Sequence, residues 1–273
     1  MEFQDIIYNK YNGRAKVTIN RPNKLNAFTN QTLQEMIRAL LDAMTDKDVG
    51  VVIITGAGDK AFCVGGDQSI REKGGYAASQ TSAGGLEGLD NLPLANNHAY
   101  LLQLIRTIPK PVIAMVNGYA IGGGHVIHVV CDLSYASSTA KFGQAGPRVG
   151  SFDAGYGTAY LARVVGEKKA REIWYLCQQY PAEEALRMGL VNAVFVPEKL
   201  EEEVEKVCDT LISYSPTALT ALKASFNADS ESIWGIHTMA GVALNLYYGT
   251  DEAMEGRNAF MEKRKPDFGK FRK

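Results

Sequence analysis

Apolar residues recur along the first half of the 273-residue chain at two different periods. RAKVTIN (14–20) alternates apolar and polar residues like a half-buried strand, and the Asn12-Gly13 pair before it predicts a hairpin with DIIYNKY. Leu33, Met36, Leu40 and Met44 then fall at helical spacing behind Thr29, an N-cap residue type, which predicts an amphipathic helix. GVVIIT (50–55) and PVIAMV (111–116) are short β-branched runs, the form of buried strands. Between them, HAYLLQLIRTI (98–108) has a helical period and is stopped by Pro109; LSYAS and KFG are further strand candidates. Past about residue 155 the helical period dominates, through TAYLARVV, KKAREIWYLC, EEALRMG, EKLEEEVEKVCDTLISY, TALTALKASFN and two final amphipathic runs. The pattern predicts an α/β core over residues 1–200 and a helical region over 201–273.

One segment, AASQTSAGGLEGLDNLPLANN (77–97), has no period and is rich in Gly, Ser, Ala and Asn. A loop of this length is either functional or a solvated insertion. Its place directly after a glycine motif favours a mobile cover for an active site.

Composition narrows the field. Hydrophobic residues make up 46% of the chain, enough for one large core, and 29 Lys+Arg balance 30 Asp+Glu, so no basic excess asks for nucleic acid. Cys63, Cys131, Cys177 and Cys208 form no CxxC or CxxH spacing and read as free buried thiols in a reducing compartment. MEFQDIIYNK has no apolar signal region, and the longest apolar run, Pro111 to Cys131, is interrupted by Asn, Gly and His; a cytoplasmic protein without membrane insertion is the expectation.

GAGDKA (56–61) matches a dinucleotide-binding fingerprint, but FCVGGD follows it where that fingerprint requires a helix, so the match is set aside. AFCVGGDQ (61–68) and NGYAIGGGHVIH (117–128) are stronger. In each, glycines follow a buried-strand pattern, which lets backbone N–H groups approach a ligand. Two such amides aimed at one oxygen make an oxyanion hole. His125 and His128 have no third ligand in view and read as packed histidines; no metal site is expected. Ser151 lacks partners for a hydrolytic triad, Asp67 reads as a support for its loop, and EKLEEEVEK (198–206) reads as a solvated helix face.

AFCVGGD and NGYAIGGGHVIHVVCDLSYAS resemble the two signature regions of the crotonase (enoyl-CoA hydratase/isomerase) superfamily, and the resemblance covers nearly the whole chain. It implies a crotonase (ClpP/crotonase-like) fold of stacked ββα turns with a helical oligomerisation region, acyl-CoA substrates, and assembly as trimers or hexamers. It implies that the amides of Gly66 and Gly123 form the oxyanion hole for a thioester enolate. Hydratases of the superfamily carry two glutamates at positions that fall here on Val126 and Gly146, so hydration by that mechanism is not expected.

VGGDQSIREKGGY, GPRVGSFDAGYGTAYLARVVGEKKAREIWYLC and EGRNAFMEKRKPDF resemble the 1,4-dihydroxy-2-naphthoyl-CoA synthase subfamily of menaquinone biosynthesis. Ala154 and Ser69 depart from residues common in that subfamily. The resemblance implies a lyase-class intramolecular Claisen (Dieckmann-type) condensation of 2-succinylbenzoyl-CoA with loss of water. It further implies that Tyr76, Ser151 and Asp153 act at the ring-carboxylate end, with Tyr248 and Lys263 joining from the C-terminal segment and Arg71 meeting CoA or the covering loop. Subfamily members with glycine at the position of Gly146 depend on hydrogencarbonate, so a bound hydrogencarbonate held by Gln144, Gly146 and Trp174 is the expected general base. A hydratase, isomerase or thioesterase of the same fold is the alternative; a non-catalytic or RNA-binding scaffold is a further one, disfavoured by the near-neutral charge.

Overall fold

The computed structural model describes residues 2–72, 75–76 and 94–272, so most of the expected covering segment lies outside the described residues. The Asn12-Gly13 signal makes a tight hairpin: both residues have positive φ, 44° and 79°, and Ile6–Tyr11 pairs antiparallel with Arg14–Ile19. That hairpin is the edge of a six-stranded sheet. Its next strands, Val51–Gly56, Val112–Val116, Leu133–Ser137 and Ala193–Phe195, are added in chain order, each parallel to the last.

A four-stranded sheet contains Ala61–Cys63, Tyr119–Ile121, Lys141–Gly143 and Gln179–Pro181, also in chain order from one edge to the other. Each long strand is thus followed by a short one that crosses to the second sheet: Val51–Gly56 by Ala61–Cys63, Val112–Val116 by Tyr119–Ile121, Leu133–Ser137 by Lys141–Gly143. Helices Leu94–Thr107 and Gly123–Val130 return the chain after the first two of these turns. The result is a spiral of ββα turns, the crotonase fold, with the GAGDKA segment spent on a strand-to-strand crossover and no helix behind it.

The helix Asn30–Thr45 forms as the pattern predicts. Thr29 and Thr32 satisfy each other's backbone N–H groups in a capping box, and Leu33, Met36, Ile37 and Leu40 are fully buried. The later chain differs from expectation in two respects. QYP (179–181) and AVF (193–195) are strands inside the region expected to be helical, because two sheet edges need closing partners that are too short to show a period. The expected boundary at residue 200 falls inside the helix Pro197–Ile212, whose Leu200, Val204 and Cys208 pack on Val51, Ile53, Ile113 and Met115 of the large sheet. That helix therefore belongs to the core. Helices Pro216–Ala228, Ser232–Tyr248 and Asp251–Met261 follow. All four cysteines are free and buried, and no described helix is long and apolar enough to cross a membrane.

Candidate active site

The two glycine loops meet. Phe28 bridges to the first of them: its N–H donates to the Gly65 carbonyl at 2.9 Å, and its carbonyl accepts from Asp67 N–H at 3.0 Å. In that parallel pairing the N–H of the intervening Gly66 points away from Phe28. Gly65 sits at φ +87°, where a Cβ would lie 3.0 Å from the Gly123 nitrogen, so no side chain can separate the loops. Gly123 opens the helix Gly123–Val130, whose first internal bond runs from Val126 N–H to the Gly122 carbonyl; the Gly123 amide precedes that ladder and has no partner within it. Gly66 and Gly123 both line a cavity of about 530 Å³. Two unspent amides on adjoining loops can receive one oxygen that gains negative charge.

Asp67 is committed elsewhere. Its Oδ1 accepts from the Ser69 amide and hydroxyl at 3.1 and 2.6 Å, and its Oδ2 from Arg21 at 3.1 Å. Burial alone would push its carboxyl up; the Ser69 donors and the Arg21 guanidinium outweigh that and hold it below the usual carboxylate range.

Side chains line the rest of the cavity. Tyr76, Ser151, Asp153 and Tyr248 all line the cavity. Ser151 Oγ and Tyr248 Oη are 2.7 Å apart, and the rings of Tyr248 and Tyr76 pack edge to face at 5.8 Å. Tyr76 Oη accepts from Gln68 Nε2 at 2.5 Å, and Gln68 also donates to the Gly66 carbonyl. Burial raises both phenols above their ordinary range, so they act as neutral groups. Asp153 is bonded to neither Ser151 nor Tyr76: its Oδ1 accepts the amides of Gly155 and Gly157 at 2.9 and 3.0 Å. No hydrogen bond joins Asp153 to those hydroxyls, and its Oδ1 is held as an acceptor. It is the only carboxylate among the described lining residues.

Gln68, His98, Arg148, Gln179 and His237 are among the lining residues that the sequence reading did not assign. His98, on the helix Leu94–Thr107, stacks on Phe28 at 5.1 Å with Nε2 3.4 Å from the Gly123 carbonyl. Burial pushes its imidazole down to about 4, against the pull of nearby Asp153 and with the help of His237. His237 belongs to the helix Ser232–Tyr248, which turns a stripe of His237, Ala240, Gly241, Leu244 and Tyr248 to the cavity. A stripe of that spacing containing small residues was the available signal. His125 and His128 are fully buried, edge to face at 5.0 Å, and burial pushes His125 down to about 3. Among the described residues no cluster of His, Cys, Asp or Glu could hold a metal ion.

Val126 and Gly146 also line the cavity, with Gln144 and Trp174. The groups expected to cradle hydrogencarbonate do not fit it in this arrangement. The Trp174 indole N–H is committed to the Gly157 carbonyl, and Gln144 Nε2 lies 3.2 Å from His125 Nδ1. A Cβ built on Gly146 would fall 2.7 Å from the Ser151 carbonyl oxygen and 3.0 Å from Trp174, so that side of Gly146 is already filled. Only the buried Gln144 Oε1 lacks a partner.

Two expected ligand contacts are corrected. Arg71 is 1% exposed, donates to the Val149 and Ala253 carbonyls at 2.7 Å each, and lies 5.0 Å over the Tyr248 ring. It ties the active-site wall to the helix Asp251–Met261 and does not line the cavity. Lys263 is exposed past the end of that helix and is likewise absent from the lining, to which Phe260 contributes instead.

Backbone amides facing an apolar cavity, on a spiral of ββα turns, form a site that can polarise a carbonyl oxygen. The family model described as enoyl-CoA hydratase/isomerase matches residues 9–271, and the chain belongs to that family, whose enzymes act on CoA thioesters. Solved structures agree. An enoyl-CoA hydratase from Mycobacterium avium subsp. paratuberculosis K-10 is 29% identical with a TM-score of 0.84, covering 98% of this chain and 99% of that one. An enoyl-CoA hydratase/isomerase from Pseudoalteromonas atlantica T6c is 25% identical at TM-score 0.84, with 97% and 100% covered. An enoyl-CoA hydratase from Bacillus anthracis is 27% identical at TM-score 0.72, with 97% and 98% covered.

Proposed function

We propose that the protein generates a CoA-thioester enolate and uses it in the intramolecular condensation of 2-succinylbenzoyl-CoA to 1,4-dihydroxy-2-naphthoyl-CoA. The observation that carries the reading is the pairing of two unspent glycine amides with a cavity whose two hydratase-glutamate positions are Val126 and Gly146. A site that polarises a thioester but lacks both glutamates suits carbanion chemistry better than water addition.

In this reading the thioester oxygen sits on the N–H groups of Gly66 and Gly123. Asp153, as the only carboxylate among the described lining residues, takes the proton from the carbon next to the thioester. The carbanion attacks the aromatic carboxyl carbon; a C–C bond forms, the carboxyl C–O bond breaks and its oxygen leaves as water, and two ring protons then move from carbon to the two ketone oxygens to give the aromatic dihydroxy product. Tyr76, Ser151 and Tyr248, as neutral hydroxyl donors, receive the carboxyl oxygen that departs. No step is assigned to hydrogencarbonate, because the residues that would hold it are otherwise engaged.

Microscopic reversibility gives the same groups a second reading, the water-driven opening of a cyclic β-oxo thioester. The specific observation favouring it is Asp153 beside two imidazoles that burial keeps neutral, a set able to activate water. The protein is further proposed to work as a homo-oligomer in the cytoplasm. Phe226, Met239 and Leu246 are 78%, 67% and 74% exposed on the C-terminal helices, an apolar surface that a second subunit would cover.

The test is optical: 2-succinylbenzoyl-CoA, a cyclic β-oxo thioester and crotonyl-CoA are offered separately to the enzyme. Appearance of the naphthoyl chromophore supports condensation, consumption of the ring ketone alone supports the reverse step, and hydration of crotonyl-CoA at a comparable rate overturns both.

A further inference from the structure

Residues 21–28 form a turn that grips the strand and first glycine loop, 61–67, at both ends. At the start of that segment, the fully buried Asn26 donates from Nδ2 to the Ala57 and Ala61 carbonyls at 3.0 and 2.7 Å, and its Oδ1 accepts the Arg21 N–H at 3.0 Å. At its far end, one Arg21 guanidinium faces three acceptors. Nη2 donates to Asp67 Oδ2 at 3.1 Å, Nη1 donates to the Ala27 carbonyl, and Nε lies 3.6 Å from Asp5 Oδ2. Ala27 precedes Phe28 and Asp67 follows Gly66, so the guanidinium joins the two sides of the Phe28 bridge next to the Gly66 amide. Asp5 also accepts from the Thr29 and Thr32 hydroxyls at 3.1 and 2.5 Å, which ties the cluster to the start of the helix Asn30–Thr45. The turn holds an unfavourable backbone: Leu25 and Asn26 are consecutive non-glycine residues with positive φ, 51° and 56°. Such backbone persists only where its surroundings over-determine it. Leu25 and Phe28 line the cavity, whereas Arg21 does not.

We infer that Arg21 is a positioning residue for the Gly66 amide: it sets where that N–H points and touches no substrate atom. The inference rests on the proposed seating of the thioester oxygen on Gly66 and Gly123. The Phe28 bridge alone holds the loop by two backbone hydrogen bonds, from Phe28 N–H to the Gly65 carbonyl and from Asp67 N–H to the Phe28 carbonyl. Two bonds on one side of a loop leave it free to pivot about the line that joins them, and that pivot swings the Gly66 N–H. The contact from Arg21 to the Asp67 carboxylate is a third attachment, off that line. A planar guanidinium can meet the Ala27 carbonyl and the carboxylate together, which an ammonium on one flexible stem does not reproduce. The pair is partly exposed, at 18% for the Arg21 side chain and 7% for that of Asp67, so its expected contribution to folding is small. Its expected weight in turnover is larger, because a displacement of about 1 Å at a reacting centre can cost about 100-fold in rate.

The experiment reads how strongly the site polarises a bound thioester. Succinyl-CoA carrying carbon-13 at the thioester carbonyl is bound to the parent enzyme and to Arg21→Met, Arg21→Lys and Asp67→Asn, and the carbonyl stretch is followed by isotope-difference infrared spectroscopy. The parent should move the stretch to lower frequency than water does. Arg21→Met and Asp67→Asn should lose most of that shift and Arg21→Lys part of it, all at little changed thioester affinity. Exchange of the proton beside the thioester should fall by about 10–100-fold in Arg21→Met and by less in Arg21→Lys. Arg21→Met combined with Asp67→Asn should lose no more than the worse single variant, because the two residues act through one contact. A merely structural arginine would lower Tm and leave the shift in place. A shift in the parent that Arg21→Met and Arg21→Lys both keep in full would therefore overturn the role of Arg21 and leave the seating of the oxygen standing. A parent that leaves the stretch where water puts it would overturn that seating and the inference with it. Should Arg21→Met fail to fold, Arg21→Lys and Asp67→Asn decide.

Discussion

Two parts of the cavity are built from different material. Gly66 and Gly123 offer backbone amides fixed by strand pairing, a positive-φ glycine and the start of a helix. Around them the side chains of Asp153, His98, His237, Ser151 and Tyr248 converge from a loop and two helices distant in sequence. The backbone part cannot vary without moving the strands, whereas the side-chain part can be rewritten residue by residue. One fold therefore keeps a constant way of polarising a thioester while changing what happens next to it.

The sharpest way to break the comparison is to put a side chain in the backbone part. In Gly123→Ala the new Cβ would lie 2.7 Å from the Phe28 ring and 3.3 Å from His98 Nε2, displacing the amide. Loss of one such donor is expected to lower kcat by about 100–1,000-fold with little change in thioester affinity; steady-state kinetics with a binding measurement checks this, and an equal loss in both would mean the loop had simply collapsed.

Acid stability probes the imidazoles. His98 is held at about 4 and His125 at about 3, with His128 and His237 also lowered, all chiefly by burial. Below the unfolded histidine value of about 6.5 the unfolded chain binds protons that the folded one refuses, so stability is highest above that pH and falls as the pH drops toward 4. Each such histidine steepens the loss by up to about 1.4 kcal/mol per pH unit. Denaturant melts at pH 7, 6 and 5 measure it, and His125→Gln should make the decline shallower.

A smaller effect is expected at Gly146. With the Ser151 carbonyl 2.7 Å from its would-be Cβ, Gly146→Asp should destabilise by about 1–3 kcal/mol, read as a lower Tm, and should not add activity. A stable and faster variant would show that the space can open for a carboxylate or a small anion. The smallest effect is expected for Tyr248→Phe, which removes the 2.7 Å contact with Ser151 and should cost about 0.5–1.5 kcal/mol in a denaturation experiment.

The same contrast explains what was legible in the sequence. Strand periods, the Asn12-Gly13 turn, the Thr29 cap and the two glycine loops are local features, and they lie where the pattern places them. Tyr76, Ser151, Asp153 and Tyr248 were reachable through the family resemblance. His98 and His237 were not, because a histidine on a helix reaches the cavity only by the way that helix docks, which no short window records. Arg71 misled for the opposite reason: a cation beside a glycine motif reads as a ligand contact, yet here it is spent on two buried carbonyls and the Tyr248 ring. Trp174 faces the cavity, but the Gly157 carbonyl, distant from it in sequence, claims its N–H.

The account depends most on Asp153 taking a proton from the carbon beside a thioester held by Gly66 and Gly123. Deuterium exchange at that carbon, with succinyl-CoA in hydrogencarbonate-depleted heavy water and product read by mass spectrometry, tests this without the condensation that follows. Exchange by the parent enzyme that falls by about 100-fold or more in Asp153→Asn, at unchanged thioester affinity, is the predicted result. Exchange that is equal in parent and variant, or that appears only when hydrogencarbonate is added, would contradict it.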